Sequence, residues 1–213
     1  MTVRLALYSD VDHPGNAPMH ERLLALVGKP RPRVGYVASG PEPERPYFGR
    51  LKAHYADLGA TLDCYVDEHS DDADFAALLG CDAIHLSGGE TFAFLAWLQR
   101  RARLAALRTY ARERGVLVGV SAGAILMTPD IGSAAWCSDR VDASVTDTAG
   151  LGLVPFSFLP HAGSAHETVH VPTPALLAGR PSPLYACPDG SGLVVTDGAI
   201  EIFGEPAMVS ATA

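Results

Sequence analysis

The strongest constraint in this sequence is an alternation. Through the first 120 residues, short apolar runs take turns with segments whose apolar residues recur at helical spacing. Val3 to Tyr8, Arg33 to Ala38, Leu62 to Val66, Ala83 to Leu86 and Val116 to Val120 read as strands. Met19 to Val27, Tyr47 to Leu58, Asp71 to Leu79 and Phe92 to Glu113 read as helices, the last as one or two. Tyr47 to Leu58 places Phe48, Leu51, Tyr55 and Leu58 on one face. Strand and helix in alternation predict an α/β fold, a mostly parallel sheet with helices on both faces. Ligands of such sheets bind beyond the carboxyl ends of the strands.

After Met127 the alternation stops. Residues 128 to 160 read as loop-rich with short strands. Leu184 to Ala186, Gly192 to Thr196 and Ala199 to Phe203 read as closing strands, with Asp197-Gly198 as a hairpin turn. The chain has 213 residues, 48% of them hydrophobic, and no repeat or Pro/Gly/Ser-rich linker divides it, so one domain over 1–213 is expected. Its net charge of −8 speaks against nucleic acid or an anionic membrane as partner. No run of about 18 apolar residues can span a bilayer, and the start lacks a signal-peptide pattern. Cys64, Cys81, Cys137 and Cys187 form no CxxC pair. A cytoplasmic protein with reduced thiols is expected. The basic run Gln99 to Arg103 reads as a solvated face.

Two glycine-bearing turns fall at strand ends: Ser87-Gly88-Gly89-Glu90-Thr91 and Gly119-Val120-Ser121-Ala122-Gly123. The second has the G-x-S-x-G pattern, in which a sharp strand-to-helix turn projects a serine above the sheet. A serine hydroxyl needs a general base, usually a histidine oriented by a carboxylate. The bland alternative is a glycine-rich turn with a serine N-cap.

Of eight histidines, His13 and His20 lie near the first loop, and His54 and His69 in polar, surface-like stretches. His85 lies within a strand and reads as a core histidine. His161 stands in a loop after an apolar segment, with His166 and His170 close behind. Their spacings of five and four do not put all three on one helical face, so no metal is expected. The acid is open among Asp130, Asp139, Asp142, Asp147 and Asp189.

Four segments in order, LSGGETFAFL at 86–95, GVSAGA at 119–124, LPHAG at 159–163 and PDGSGLVV at 188–195, resemble peptidase family S51, the serine peptidases that include aspartyl dipeptidase (peptidase E) and cyanophycinase. The resemblance implies a flavodoxin-like layered sheet related to class I glutamine amidotransferases. It also implies a triad in the order Ser, His, acid, and no cofactor. By motif it assigns Ser121 as nucleophile, His161 as base and Asp189 as acid, with Asp139 second in line. The backbone N–H groups of Gly89 and Ala122 become the oxyanion hole, and Gly88, Glu90 and His166 become candidates beside the substrate. Three departures stand out. Asp189 replaces a glutamate that is longer by one methylene, and Glu90 replaces an asparagine. The segment from Ala162 to His170 lacks the basic residues that bind an acidic substrate.

The expected function is therefore hydrolysis of short peptides, Asp-X dipeptides among them, through an acyl-enzyme. The alternatives are a family member that binds a small ligand or partner through the same pocket, and a hydrolase of another amide or ester. A homodimer would use a sheet edge or the helix after Tyr47. The sequence favours neither.

Overall fold

A computed structural model of the chain describes residues 3–137, 139–142, 144–163, 169, 171–177, 179 and 181–210. Its elements follow the alternation closely. They are β1 (Arg4–Tyr8), α1 (Ala17–Val27), β2 (Arg33–Val37), α2 (Pro46–Asp57), β3 (Thr61–Val66), α3 (Asp72–Leu79), β4 (Ala83–Leu86), α4 (Thr91–Arg100), α5 (Leu104–Glu113), β5 (Val116–Val120) and α6 (Ala122–Leu126). After these come β6 (Ser157–Leu159), β7 (Leu184–Ala186), β8 (Gly192–Thr196), β9 (Ala199–Phe203) and β10 (Ala207–Val209).

The main sheet has seven strands in the order β3-β2-β4-β5-β1-β8-β9. Its first five strands are mutually parallel, and β8 and β9 close the far edge antiparallel. Asp197 and Gly198, both at positive φ, make the β8–β9 turn, a backbone that matches the strand twist. Both faces are covered, so the strands are apolar on both sides. Along β1, Leu5 and Leu7 enter one core while Ala6 and Tyr8 enter the other. The second core is built with α1 and α2; the first holds α3 to α6 and the segment after Met127.

The helices begin where local chemistry permits. Asp71 and Asp74 form a reciprocal capping box at α3. Pro46 opens α2, where its missing N–H costs nothing. The basic run is solvent-facing but not idle: Arg100 pairs with Glu68 at 2.7 Å, and Arg103 with Asp72. These pairs tie the α4–α5 corner to the start of α3 and the loop before it.

One reading of the sequence needs correction. His20 is buried in α1, with Tyr8 Oη at 3.2 Å from Nδ1, and His54 is half-buried with its Nε2 enclosed. Helical spacing turns both toward the sheet despite their polar neighbours. His85 is a core histidine, 1% exposed, with Nδ1 2.9 Å from Tyr55 Oη. After Met127 the chain is loop-rich with short strands, as its sequence reads, and Leu184–Ala186 is the strand expected there. There, β6 pairs parallel with β7, and β10 pairs antiparallel with β7, giving a second, three-stranded sheet. Among the described residues no helix is long and apolar enough to cross a membrane.

Two outcomes test this packing. Burial lowers the pKa of His20 to about 4 and of His85 to about 3, so both stay neutral in the fold while the unfolded chain takes up protons below pH 6.5. Stability is therefore lost as pH falls from about 6.5 toward 4, by about 1.4 kcal/mol per pH unit for each histidine. Urea unfolding at pH 7, 6 and 5 reads this; a constant midpoint contradicts the burial of the two rings. Separately, a Cβ on Gly123 would lie 2.2 Å from Leu86 O, so Gly123→Ala overpacks the α6–β4 contact. The expected loss is about 1–3 kcal/mol, a fall in Tm of about 3–10 °C by calorimetry.

Candidate active site

The end of β5 runs into α6 with one residue between them. Ser121 takes φ 50° and ψ −110°, a backbone conformation that only strong surroundings enforce on a non-glycine residue. The surroundings are visible. A Cβ on Gly119 would lie 2.6 Å from Ala124 N, and one on Gly123 would strike Leu86. Strand and helix approach so closely that neither flanking position tolerates a side chain. Ser121 N–H donates to Tyr8 O of β1 and Gly123 N–H to Ser87 O after β4, both at 3.0 Å. The turn is thereby fixed to strands on either side, and Ser121 lines a cleft of about 780 Å³.

His161 and Asp189 arrive together because β6 and β7 run parallel and in register. Leu159 is the partner of Ala186, so the chain leaves both strands at the same level. Cys187 N–H donates to Leu159 O at 2.8 Å and Ala162 N–H to Cys187 O at 3.1 Å, which extends the pairing past the strands. His161, at φ 57°, turns its ring between the two other residues. Nε2 lies 3.0 Å from Ser121 Oγ, and Nδ1 lies 2.7 Å from Asp189 Oδ1. With the proton on Nδ1, His161 donates to Asp189 and accepts from the Ser121 hydroxyl. Two contacts hold the loop that carries Asp189. Gly190 N–H donates to Asp10 Oδ1 at 2.7 Å, and Ser9 Oγ lies 3.2 Å from Asp189 Oδ1.

Asp139 sits elsewhere. Its Oδ2 accepts from Thr91 N–H at 2.9 Å, at the first turn of α4. Glu90 occupies the N-cap position of α4 but makes no side-chain cap; its Oε2 accepts from Arg140 N–H at 3.0 Å. The two carboxylates cross-link the turn after β4 to residues 139 and 140. Gly88 lies against the serine, where a Cβ would be 3.5 Å from Ser121 Cβ. Gly89 takes φ 130°, and a Cβ there would meet Ser39 Oγ at 2.2 Å. Ala122 stands at the first position of α6, where an N–H has no acceptor within the helix. His166 and His170, and Arg180 beyond them, lie outside the described residues.

Sequence reasoning missed Ser9. It is fully buried at the end of β1, and its hydroxyl is the hub of the site. It accepts from His161 N–H at 2.8 Å and lies 3.0 Å from Cys187 O as donor. The only signal was its position, a polar Ser9-Asp10 step closing an apolar strand at the carboxyl edge of the sheet.

Fold and site together define a mixed α/β protein with a seven-stranded, mostly parallel sheet and a serine held at a strand-to-helix elbow beside a histidine and an aspartate. The chain belongs to peptidase family S51, whose family model matches residues 5–203, and it is thus a serine-type peptidase. Its fold is that of a protein from Listeria monocytogenes EGD-e described as a peptidase E, at TM-score 0.76 and 19% identity, covering 95% of this chain and 98% of that one. It is also that of a peptidase from an acI-B1 Actinobacterium, at TM-score 0.61 and 17% identity, covering 100% and 96%. Comparison with curated proteins finds no match.

Ser9→Ala removes the hydrogen bonds that hold the His161 backbone and the Cys187 carbonyl. It is expected to lower kcat for peptide hydrolysis about tenfold, with KM within twofold. The low-field NMR signal of a proton between His161 and Asp189 should broaden with it. An unchanged kcat and an unchanged resonance would remove Ser9 from the positioning of the triad.

Proposed function

We propose that this chain hydrolyses short peptides, dipeptides among them, through Ser121, His161 and Asp189. The observation that carries the reading is the unbroken hydrogen-bond path from Ser121 Oγ through the His161 ring to Asp189, at 3.0 and 2.7 Å. In the first step Ser121 Oγ attacks the scissile carbonyl carbon and its proton passes to His161 Nε2. The carbonyl oxygen becomes an oxyanion between Gly89 N–H and Ala122 N–H, where it meets fixed donors and the start of a helix. The C–N bond then breaks, the Nε2 proton goes to the leaving amine, and the acyl group remains on Ser121 Oγ. Water, deprotonated by His161, attacks the ester carbonyl, and the product acid leaves with Ser121 restored. Asp189 never takes the proton. It holds the Nδ1–H tautomer and stabilises the imidazolium in both half-reactions.

The size of the cleft fits a short peptide, within the range of small-ligand pockets. The aspartyl preference known in the family has little support in its lining. Among the described residues of that wall, the arginine present is Arg50, and Asp12 pairs with it at 3.1 Å. Arg45 lies over the Tyr65 ring at 4.0 Å, outside the lining.

The reading is tested with a neutral fluorophosphonate and mass spectrometry. One adduct is expected, on Ser121, absent in Ser121→Ala and strongly reduced in His161→Ala. Ser121→Ala should lower kcat by about 10⁴–10⁶-fold with the fold intact. Asp189→Asn should lower it by about 10³–10⁴-fold. Retained turnover in Ser121→Ala sinks the mechanism.

A further inference from the structure

Two backbone N–H groups beside Ser121 have no acceptor. Among the described residues neither Gly89 N–H nor Ala122 N–H makes a hydrogen bond, although the N–H groups just before and after Ala122 do, to Tyr8 O and Ser87 O. Ala122 N–H is aimed by the elbow itself. Gly89 N–H needs another cause, because its turn carries two successive glycines and glycine backbone is the most permissive of any. Gly89 takes φ 130°, a value open to glycine and to little else.

The cause lies in Ser87. Its Oγ accepts from Ser39 N–H at 2.8 Å and lies 3.1 Å from Gly88 O, to which its hydroxyl donates. A serine hydroxyl has one proton, and the bond accepted from Ser39 leaves that proton for the carbonyl. Tyr36 Oη also borders Ser87 Oγ and turns its own proton to Glu42 Oε2 at 3.3 Å. At 5% exposure Ser87 has little competition from water. Gly88 C=O and Gly89 N–H belong to one planar trans peptide unit, so they point in opposite directions. Holding the carbonyl toward Ser87 therefore turns Gly89 N–H away from it. Ser39 packs against the same unit, since a Cβ on Gly89 would meet Ser39 Oγ at 2.2 Å. Trp97 of α4 fixes Ser39 in turn, its Nε1–H donating to Ser39 O at 3.1 Å.

Resting on the peptidase reading above, we infer that Ser87 is a positioning residue for the reaction: its hydroxyl holds Gly88 O and, through that peptide unit, aims Gly89 N–H at the oxyanion. Without the hydroxyl the Gly88–Gly89 peptide plane can rotate at small cost, and one of the two oxyanion donors loses its direction. The loss falls on the transition state, because the oxyanion exists only there and not in the bound substrate.

Kinetics and NMR spectroscopy of Ser87→Ala test this. The expected result is a fall in kcat for peptide hydrolysis of about tenfold or more, with KM within twofold. Ser87→Thr, which keeps the hydroxyl, should recover most of the loss. The spectroscopic arm uses the neutral fluorophosphonate, whose phosphoryl oxygen takes the place of the oxyanion once Ser121 is phosphonylated. In the wild-type adduct Gly89 N–H and Ala122 N–H should both move downfield as they gain an acceptor. In the Ser87→Ala adduct Ala122 N–H should move as before and Gly89 N–H much less. A general loosening of the site would weaken both shifts together, so the contrast separates positioning from support of the fold. An unchanged kcat in Ser87→Ala, a loss carried by KM alone, an equal fall in the Ala and Thr variants, or shifts of the two groups that change alike or not at all overturns the inference. A wild-type adduct in which Gly89 N–H stays in place also overturns it, while leaving Ser121 as the nucleophile. A wild-type protein that does not react overturns the peptidase reading and this inference with it.

Discussion

Between Val120 and Ala122 the chain changes from extended to helical within one residue. Ser121 absorbs that change at φ 50° and ψ −110°. The conformation persists because β5 and α6 touch across Gly119 and Gly123, and because Tyr8 and Ser87 hold the turn by its own backbone. Strain of this kind costs of order 1–3 kcal/mol and survives only where the neighbours over-determine it. Here the neighbours are the central strands of a fully covered sheet. The elbow thus depends on the whole sheet, and the rest of the site depends on the elbow. It sets where Ser121 Oγ stands, and that point defines where a base and two N–H donors have to be.

His161 and Asp189 come from a different device. A three-stranded sheet, separate from the main one, runs β6 and β7 side by side in the same direction, so that two loops far apart in sequence start from one edge. Ser9, at the end of β1, joins that edge to the main sheet through His161 N, Cys187 O and Asp189 Oδ1. A single buried hydroxyl connects the two sheets at the point where the hydrogen-bond path crosses between them.

This division explains what the sequence makes legible. The elbow is local: an apolar run, two glycines and a serine within five residues, so periodicity and spacing suffice. The strands and helices before it follow the same logic, to within a residue or two at their ends. The second sheet is not local. Its strands are three residues long, too short to show a period, and they pair over more than twenty intervening residues. Without that pairing, five aspartates were equal candidates for the acid, and only family likeness ranked Asp189 above Asp139. In the structure, Asp189 lies beside the ring and Asp139 beside the start of α4. The buried positions of His20 and His54 were hidden for a related reason, since polar neighbours in sequence mask a face that turns inward. Ser9 had no signal beyond its place at a strand end.

The carboxylates of the cleft are, in the first place, loop fasteners. Asp10 holds the Gly190 turn that carries Asp189, while Glu90 and Asp139 stitch the glycine turn after β4 to residues 139 and 140. Glu42 ties the proline-rich loop after β2 to the start of α2. Each fastener accepts from backbone N–H groups of the turn it holds. The cluster of carboxylates beside Ser121 is therefore a consequence of how the loops around it are anchored. Removing Asp10, Glu90 or Asp139 would slacken the turns that carry Gly89 and Asp189. The same side chains hold the loops around Ser121 and line the cleft beside it, so a substitution at any of them changes both at once.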